Sequence, residues 1–148
     1  MEYKNKVLII EDDKQISHFL GTVLSANNFD VITADTGEYG CAVISSHCPD
    51  IVILDLGLPG MDGWEVIDSV RKWSSMPIIV LSARNSEADK VAALEKGADD
   101  YITKPFGTNE LIARIKTALR HTRTASGDDS IAVEGVFRTG GLTVDYSK

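Results

Sequence analysis

Cysteine is scarce in this chain: Cys41 and Cys48 are the only two among 148 residues, and no C-x-x-C spacing joins them. That excludes a disulfide framework, and both read as free thiols. Long apolar runs are missing as well. No stretch approaches the roughly 20 residues needed to span a bilayer, which argues against a membrane protein. The opening residues Met1 to Lys6 lead into an apolar Val7 to Ile10 without a signal-peptide core or a small-residue cleavage site, so the chain is expected in the cytoplasm. Basic charge is outweighed, with 15 Lys and Arg against 22 Asp and Glu for a net charge of −7. Such a balance excludes broad, non-specific nucleic-acid binding, which rests on neutralising phosphates with Lys and Arg. There is no G-x-x-x-x-G-K-[ST] loop to hold a nucleotide. The remainder, 43% hydrophobic and 25% charged, is an ordinary globular composition with length for one well-cored domain and a short extra piece.

The organising stretch is Ile51-Val52-Ile53-Leu54-Asp55-Leu56-Gly57-Leu58-Pro59-Gly60, where an apolar run ends in one carboxylate and turn residues. An unbroken aliphatic run between turn signals reads as a strand buried on both faces, as in a helix-covered parallel sheet. Similar runs at Val7–Ile10, Asp30–Ala34, Pro77–Ser82 and Tyr101–Thr103 alternate with helical patterns. In the first helix Ile16, Phe19, Leu20, Val23 and Leu24 fall at helical spacing, which predicts one inward face. Further helices are predicted from Thr36-Gly37-Glu38 to His47, from Trp64 to Trp73, from Ser86 through Glu95 with Gly97 as the stop, and from Glu110 to Arg120. In that last helix Leu111, Ile112, Ile115 and Leu119 are expected inward.

Five strands alternating with five helices predict an α/β fold: a three-layer, doubly wound, five-stranded parallel sheet. Residues 1–121 would form that domain, and the polar stretch 122–130 a linker. Residues 131–148, with alternating residues and Gly140-Gly141, suggest one or two antiparallel strands too short to fold alone.

Right-handed crossovers put every strand's carboxyl end on one edge, where ligands bind in such sheets. There the sequence places Glu11-Asp12-Asp13, Asp55, Ser82 and Lys104. Each has an ordinary structural reading: a helix cap, a turn former, a solvated charge. Jointly they describe a site. Clustered carboxylates need a cation, and all-oxygen ligands suit Mg²⁺, which we assign to Glu11, Asp12 and Asp55. Mg²⁺ typically bridges carboxylates to phosphate, so Asp55 is the candidate phosphoryl-accepting nucleophile. The metal, the Lys104 ammonium and the Ser82 hydroxyl would share the phosphoryl oxygens. The histidines His18, His47 and His121 fall on helices or a helix end and read as surface residues.

These residues resemble the receiver domains of two-component response regulators, over about residues 5 to 121. The likeness includes Leu58 to Glu65 behind Asp55, Ser82-Ala83-Arg84, and Gly97 to Phe106 with Tyr101 and Lys104-Pro105. The resemblance implies a flavodoxin-like, CheY-like fold. It implies phosphoryl transfer to Asp55 from a sensor histidine kinase, the Gly57 carbonyl as a further Mg²⁺ ligand, and a cis bond before Pro105. Glu11 and Asp12 match the family's acidic pair, with Asp13 a less certain third. Ser82 stands where many members carry Thr, and Tyr101 matches an aromatic switch that turns inward. Gly97 to Arg120 is most similar to the OmpR/PhoB class, which implies a homodimer through the fourth helix, fifth strand and fifth helix. Lys90, Asp99, Asp100, Glu110, Arg114 and Arg120 would supply its charges. Leu56 to Pro59, Arg71 to Ser74 and Leu81 to Lys90 resemble regulators of potassium-uptake genes. Residues 137–148 resemble the opening strands of that class's winged-helix DNA-binding domain, whose remainder is missing. The competing reading is a haloacid-dehalogenase-like, Mg²⁺-dependent phosphatase. That family wants a second Asp two residues after the nucleophile, where this chain has Gly57.

Overall fold

The computed structural model describes residues 4–84 and 86–128, the last seven by backbone alone. The elements run β1 (Lys6–Ile10), α1 (Lys14–Ala26), β2 (Asp30–Ala34), α2 (Gly37–His47) and β3 (Ile51–Leu54). They continue with α3 (Gly63–Arg71), β4 (Ile78–Ser82), α4 (Glu87–Lys96), β5 (Asp100–Thr103) and α5 (Thr108–Asp128). All strand pairs are parallel, in the order β2-β1-β3-β4-β5. This is the expected doubly wound α/β sheet. β3 and β4 are buried at every position, as strands covered by helices on both faces must be. Each fully buried aliphatic side chain there contributes about 1.5–3 kcal/mol.

Register makes the site. Ile10 lies opposite Leu54 and Ser82 opposite Thr103, while Leu54 lies opposite Val80, so β1 and β3 end together and β4 and β5 run two residues further along the same edge. The winding direction reverses between β1 and β3, which opens a crevice where Glu11 and Asp55 leave the sheet. Local chemistry fixes the helix starts. The side chains of Asp13, Thr36, Asp62 and Ser86 accept backbone N–H groups at the N-termini of α1, α2, α3 and α4, and Asp62 with Glu65 forms a full capping box. Gly97 ends α4 at φ +126°, in the region that favours glycine.

Two expectations need correction. Phe19 is 49% exposed rather than inward, because Leu20 and Leu24 alone make the fully buried seam of α1. Phe19 and Ile16 instead line an apolar groove with Ala83, Pro105 and Phe106. Secondly, α5 starts at Thr108 and continues to Asp128, through most of the stretch expected as linker. Polarity suggested a loop there, but residues 108–126 hold no proline or glycine to break a helix. Leu111, Ile112, Ile115 and Leu119 are buried as expected. The chain divides into two units, residues 1–118 and 119–148, and the site belongs to the first. The strands expected within residues 131–148 lie outside the described residues.

Candidate functional site

Asp55 leaves β3 with its backbone N–H still donating to Ile10 O at 3.0 Å, while its Oδ1 accepts from Gly57 N at 3.2 Å. Its side chain is 12% exposed, inside the crevice yet reachable. Ligand oxygens of Glu11, Asp12 and Asp55 all lie within 4.8 Å of one another. Lys104 reaches this cluster from the end of β5, with Nζ 3.0 Å from Glu11 Oε1 and 3.8 Å from Asp55 Oδ1. Glu11, Asp12, Asp55 and Lys104, which the sequence places at strand ends, thus converge. Asp13 does not join them, since its Oδ1 caps α1 by accepting from Gln15 N and Ile16 N.

Three carboxylates in so small a space repel one another, and one ammonium offsets only part of that charge. The all-oxygen donor set fits a small divalent cation of the Mg²⁺ type, which keeps water ligands and takes few from protein. Glu11 carries the strain. Burial pushes its pKa up from 4.5 to about 7, and the charge of Asp55 adds to the rise, while the Asp13 N–H and the Lys104 ammonium oppose it. Gly57 is exposed beside Asp55, where it leaves the carboxylate open on that side.

Ser82 is buried at the end of β4, and its Oγ accepts from Arg84 N at 3.0 Å. Tyr101, buried on β5, donates its hydroxyl to Arg84 O at 2.7 Å. Ser82 and Tyr101 thus both hold Arg84 by its main chain. Sequence reasoning missed this role of Arg84, because a contact made by peptide atoms leaves no trace in residue type. The Lys104-Pro105 bond is cis, as expected, and Pro105 is exposed.

The residues expected on a dimer face divide. Lys90 is half-buried on α4, and Arg120 is exposed on α5. Arg114 donates from Nη1 to both Asp100 oxygens at 2.9 and 3.0 Å, and from Nε to Glu110 at 3.2 Å. Those bonds, first the one to Asp100, raise the pKa of Arg114. Asp99 accepts from Arg71 Nη2 and from Ile78 N, both at 2.9 Å, so it is engaged within the chain. The sequence reading also passed over Val91 and Leu94, which are 44% and 46% exposed on α4. Their spacing signals one helix face, but it is also that of a core face.

Residues 7–116 match the response regulator receiver domain family, and the chain belongs to it. Its curated relatives include the KDP operon transcriptional regulatory protein KdpE of Escherichia coli K12. That protein is 48% identical over 131 residues, which cover 88% of this chain and 58% of the relative. The transcriptional regulatory protein KdpE of Mycobacterium tuberculosis is 45% identical over 141 residues, which cover 95% of this chain and 61% of the relative. The chain thus spans about three fifths of the length of these regulators. Among solved structures, the BeF3-activated N-terminal receiver domain of Klebsiella pneumoniae RstA superposes with a TM-score of 0.76 at 34% identity. The match covers 78% of this chain and 99% of that one. No helix among the described residues is long and apolar enough to cross a membrane.

Proposed function

We propose that this chain is the phosphorylation-controlled part of a cytoplasmic two-component transcription regulator, with Asp55 as phosphoacceptor. The observation that carries the reading is the convergence of Lys104, Glu11 and Asp12 on the Asp55 carboxylate. An Asp55 oxygen attacks the phosphorus of a phosphohistidine on a sensor kinase. The P–N bond breaks, the O–P bond forms, and the leaving imidazole nitrogen takes up a proton. Glu11, Asp12, Asp55 and the Gly57 carbonyl would hold Mg²⁺, which when bound neutralises phosphoryl charge. Lys104 adds a second positive charge already within 3.8 Å of Asp55. Ser82 Oγ accepts from Arg84 N and keeps its own proton to donate to the phosphoryl group.

The switch is a population shift. Phosphorylation acts only through states with which it interacts differently, and a Ser82 hydroxyl drawn to the phosphoryl group changes the hold on Arg84. In our reading the output is a homodimer through α4, β5 and α5, with Val91 and Leu94 as its apolar centre and Lys90, Asp99, Asp100, Glu110, Arg114 and Arg120 setting register. DNA is bound through a winged-helix domain that begins within residues 131–148, and the likeness to KdpE regulators points to potassium-transport genes as targets. The phosphatase reading is disfavoured by Gly57, which offers no acid or base to release the phosphoryl group in turnover.

Intact-mass spectrometry with acetyl phosphate, with and without Mg²⁺, tests the proposal. One Mg²⁺-dependent phosphoryl adduct is expected, and Asp55→Asn should lose it while keeping its fold. Stoichiometric labelling of the variant would overturn Asp55 as acceptor, and rapid continuous phosphate release would favour the phosphatase.

A further inference from the structure

Of the ten residues in α4, only Ala93 is buried. Little apolar area therefore holds this helix to the sheet, and its position depends on what ties its two ends. The ends are tied differently. Arg71, the last residue of α3, donates from Nε to Gly97 O at 2.9 Å, from Nη1 to Ser74 O at 3.1 Å and from Nη2 to Asp99 Oδ1 at 2.9 Å. The same Asp99 oxygen accepts from Ile78 N, so one guanidinium joins the ends of α3 and α4 to the starts of β4 and β5. The fit is close: a Cβ on Gly97 would lie 2.9 Å from both Cγ and Nε of Arg71. Lys96 adds an ion pair to Asp68 of α3 at 2.7 Å. Ahead of the first turn, by contrast, the chain is held at Arg84 by two hydroxyls, each able to exchange its partner.

We propose that Arg71 makes the C-terminal end of α4 a fixed pivot. When the Ser82 and Tyr101 hydroxyls let go of Arg84, the first half of α4 swings while its last turn stays docked. The inference rests on the phosphoacceptor reading above, because phosphorylation is what moves Ser82. Arg71 is a positioning residue and touches neither Asp55 nor the metal ligands. Its planar fork serves carbonyl and carboxylate oxygens of three segments at once, a geometry that Lys does not reproduce. The pivot turns an event at the carboxyl edge of the sheet into a rotation of the face that carries Val91 and Leu94, where an untethered helix would merely loosen.

Hydrogen–deuterium exchange of the full chain, with and without beryllofluoride and Mg²⁺, decides the matter. In the native chain, exchange across the first half of α4 should change severalfold on adding beryllofluoride, and exchange across residues 94–99 should change less than twofold. In Arg71→Met the last turn should lose protection severalfold in both states. Arg71→Lys should fall between, and Asp68→Asn, which removes only the Lys96 pair, should keep the native pattern. Equal changes in both halves of the native helix overturn the pivot even if Arg71→Met does not fold, as does undiminished protection of residues 94–99 in a folded Arg71→Met. Acetyl phosphate labelling of the same samples separates the two failures. A chain that forms no Asp55 adduct refutes the phosphoacceptor reading and the pivot with it, whereas an adduct with uniform exchange refutes the pivot alone.

Discussion

If Glu11 holds the cation as proposed, it sets the pH behaviour of the site, because it must lose its proton to do so and burial pushes its pKa up to about 7. Mg²⁺ affinity should therefore fall about tenfold per pH unit below about 7, where one proton competes for the site, and flatten above it. Isothermal titration between pH 5 and 8 measures this, and Glu11→Gln should remove the slope. The metal-free fold should show the opposite trend. A carboxyl whose pKa rises on folding stabilises the fold fully below its unfolded value of 4.5, and that contribution is lost as pH rises through about 7. Urea melts in chelator should lose on the order of 1–3 kcal/mol over this window, the loss reversed by Mg²⁺. In the proposed transfer Lys104 acts on a different step. Lys104→Ala leaves Asp55 as nucleophile but removes the cation beside it, so phosphorylation should persist, slowed, without a change in association. Unchanged phosphate-driven dimerisation in that variant, read by sedimentation, would refute the role.

Among the elements, α3 is seated tightly against the end of β3. Gly63 N donates to Leu56 O at 3.2 Å, and a Cβ at Gly63 would lie 2.7 Å from both Asp55 O and Leu56 Cα. Gly63→Ala must push α3 away from the end of β3, with an expected cost of about 1–3 kcal/mol in denaturant melts and slower phosphoryl uptake. The elements were readable in the sequence wherever one short-range signal governed them. The apolar run before Asp55, the Ser86 cap with Asp89 three residues on, and the Gly97 stop all act within a few residues. What escaped was set over longer range or by backbone atoms. Phe19 has the spacing of a core residue and is left outside by the narrow seam of α1. Arg71 bonds to carbonyls that any residue would offer, one of them 26 positions away. The acidic triplet was legible as a cluster, but Asp13 turns to its own helix where Glu11 and Asp12 turn to Asp55, a division that sequence order alone does not reveal.

For the molecule as a whole, the proposed output depends on the face carrying Val91 and Leu94. Leu94→Asp should abolish phosphate-dependent self-association in analytical ultracentrifugation. Its stability should stay within about 0.5 kcal/mol of native, as for an exposed substitution. Loss of association and stability together would point instead to a packing role for Leu94. The contact between Lys104 and Glu11 joins residues 93 positions apart, and Lys104 follows β5, an edge strand that among the described strands pairs with β4 alone. A chain still emerging from synthesis, or one in which β5 has yet to dock, has its carboxylates without their ammonium, so in the proposed reading a phosphoryl group it takes up is not turned into association. Competence to pass a signal on is thereby a certificate of completed folding, and half-made copies stay silent.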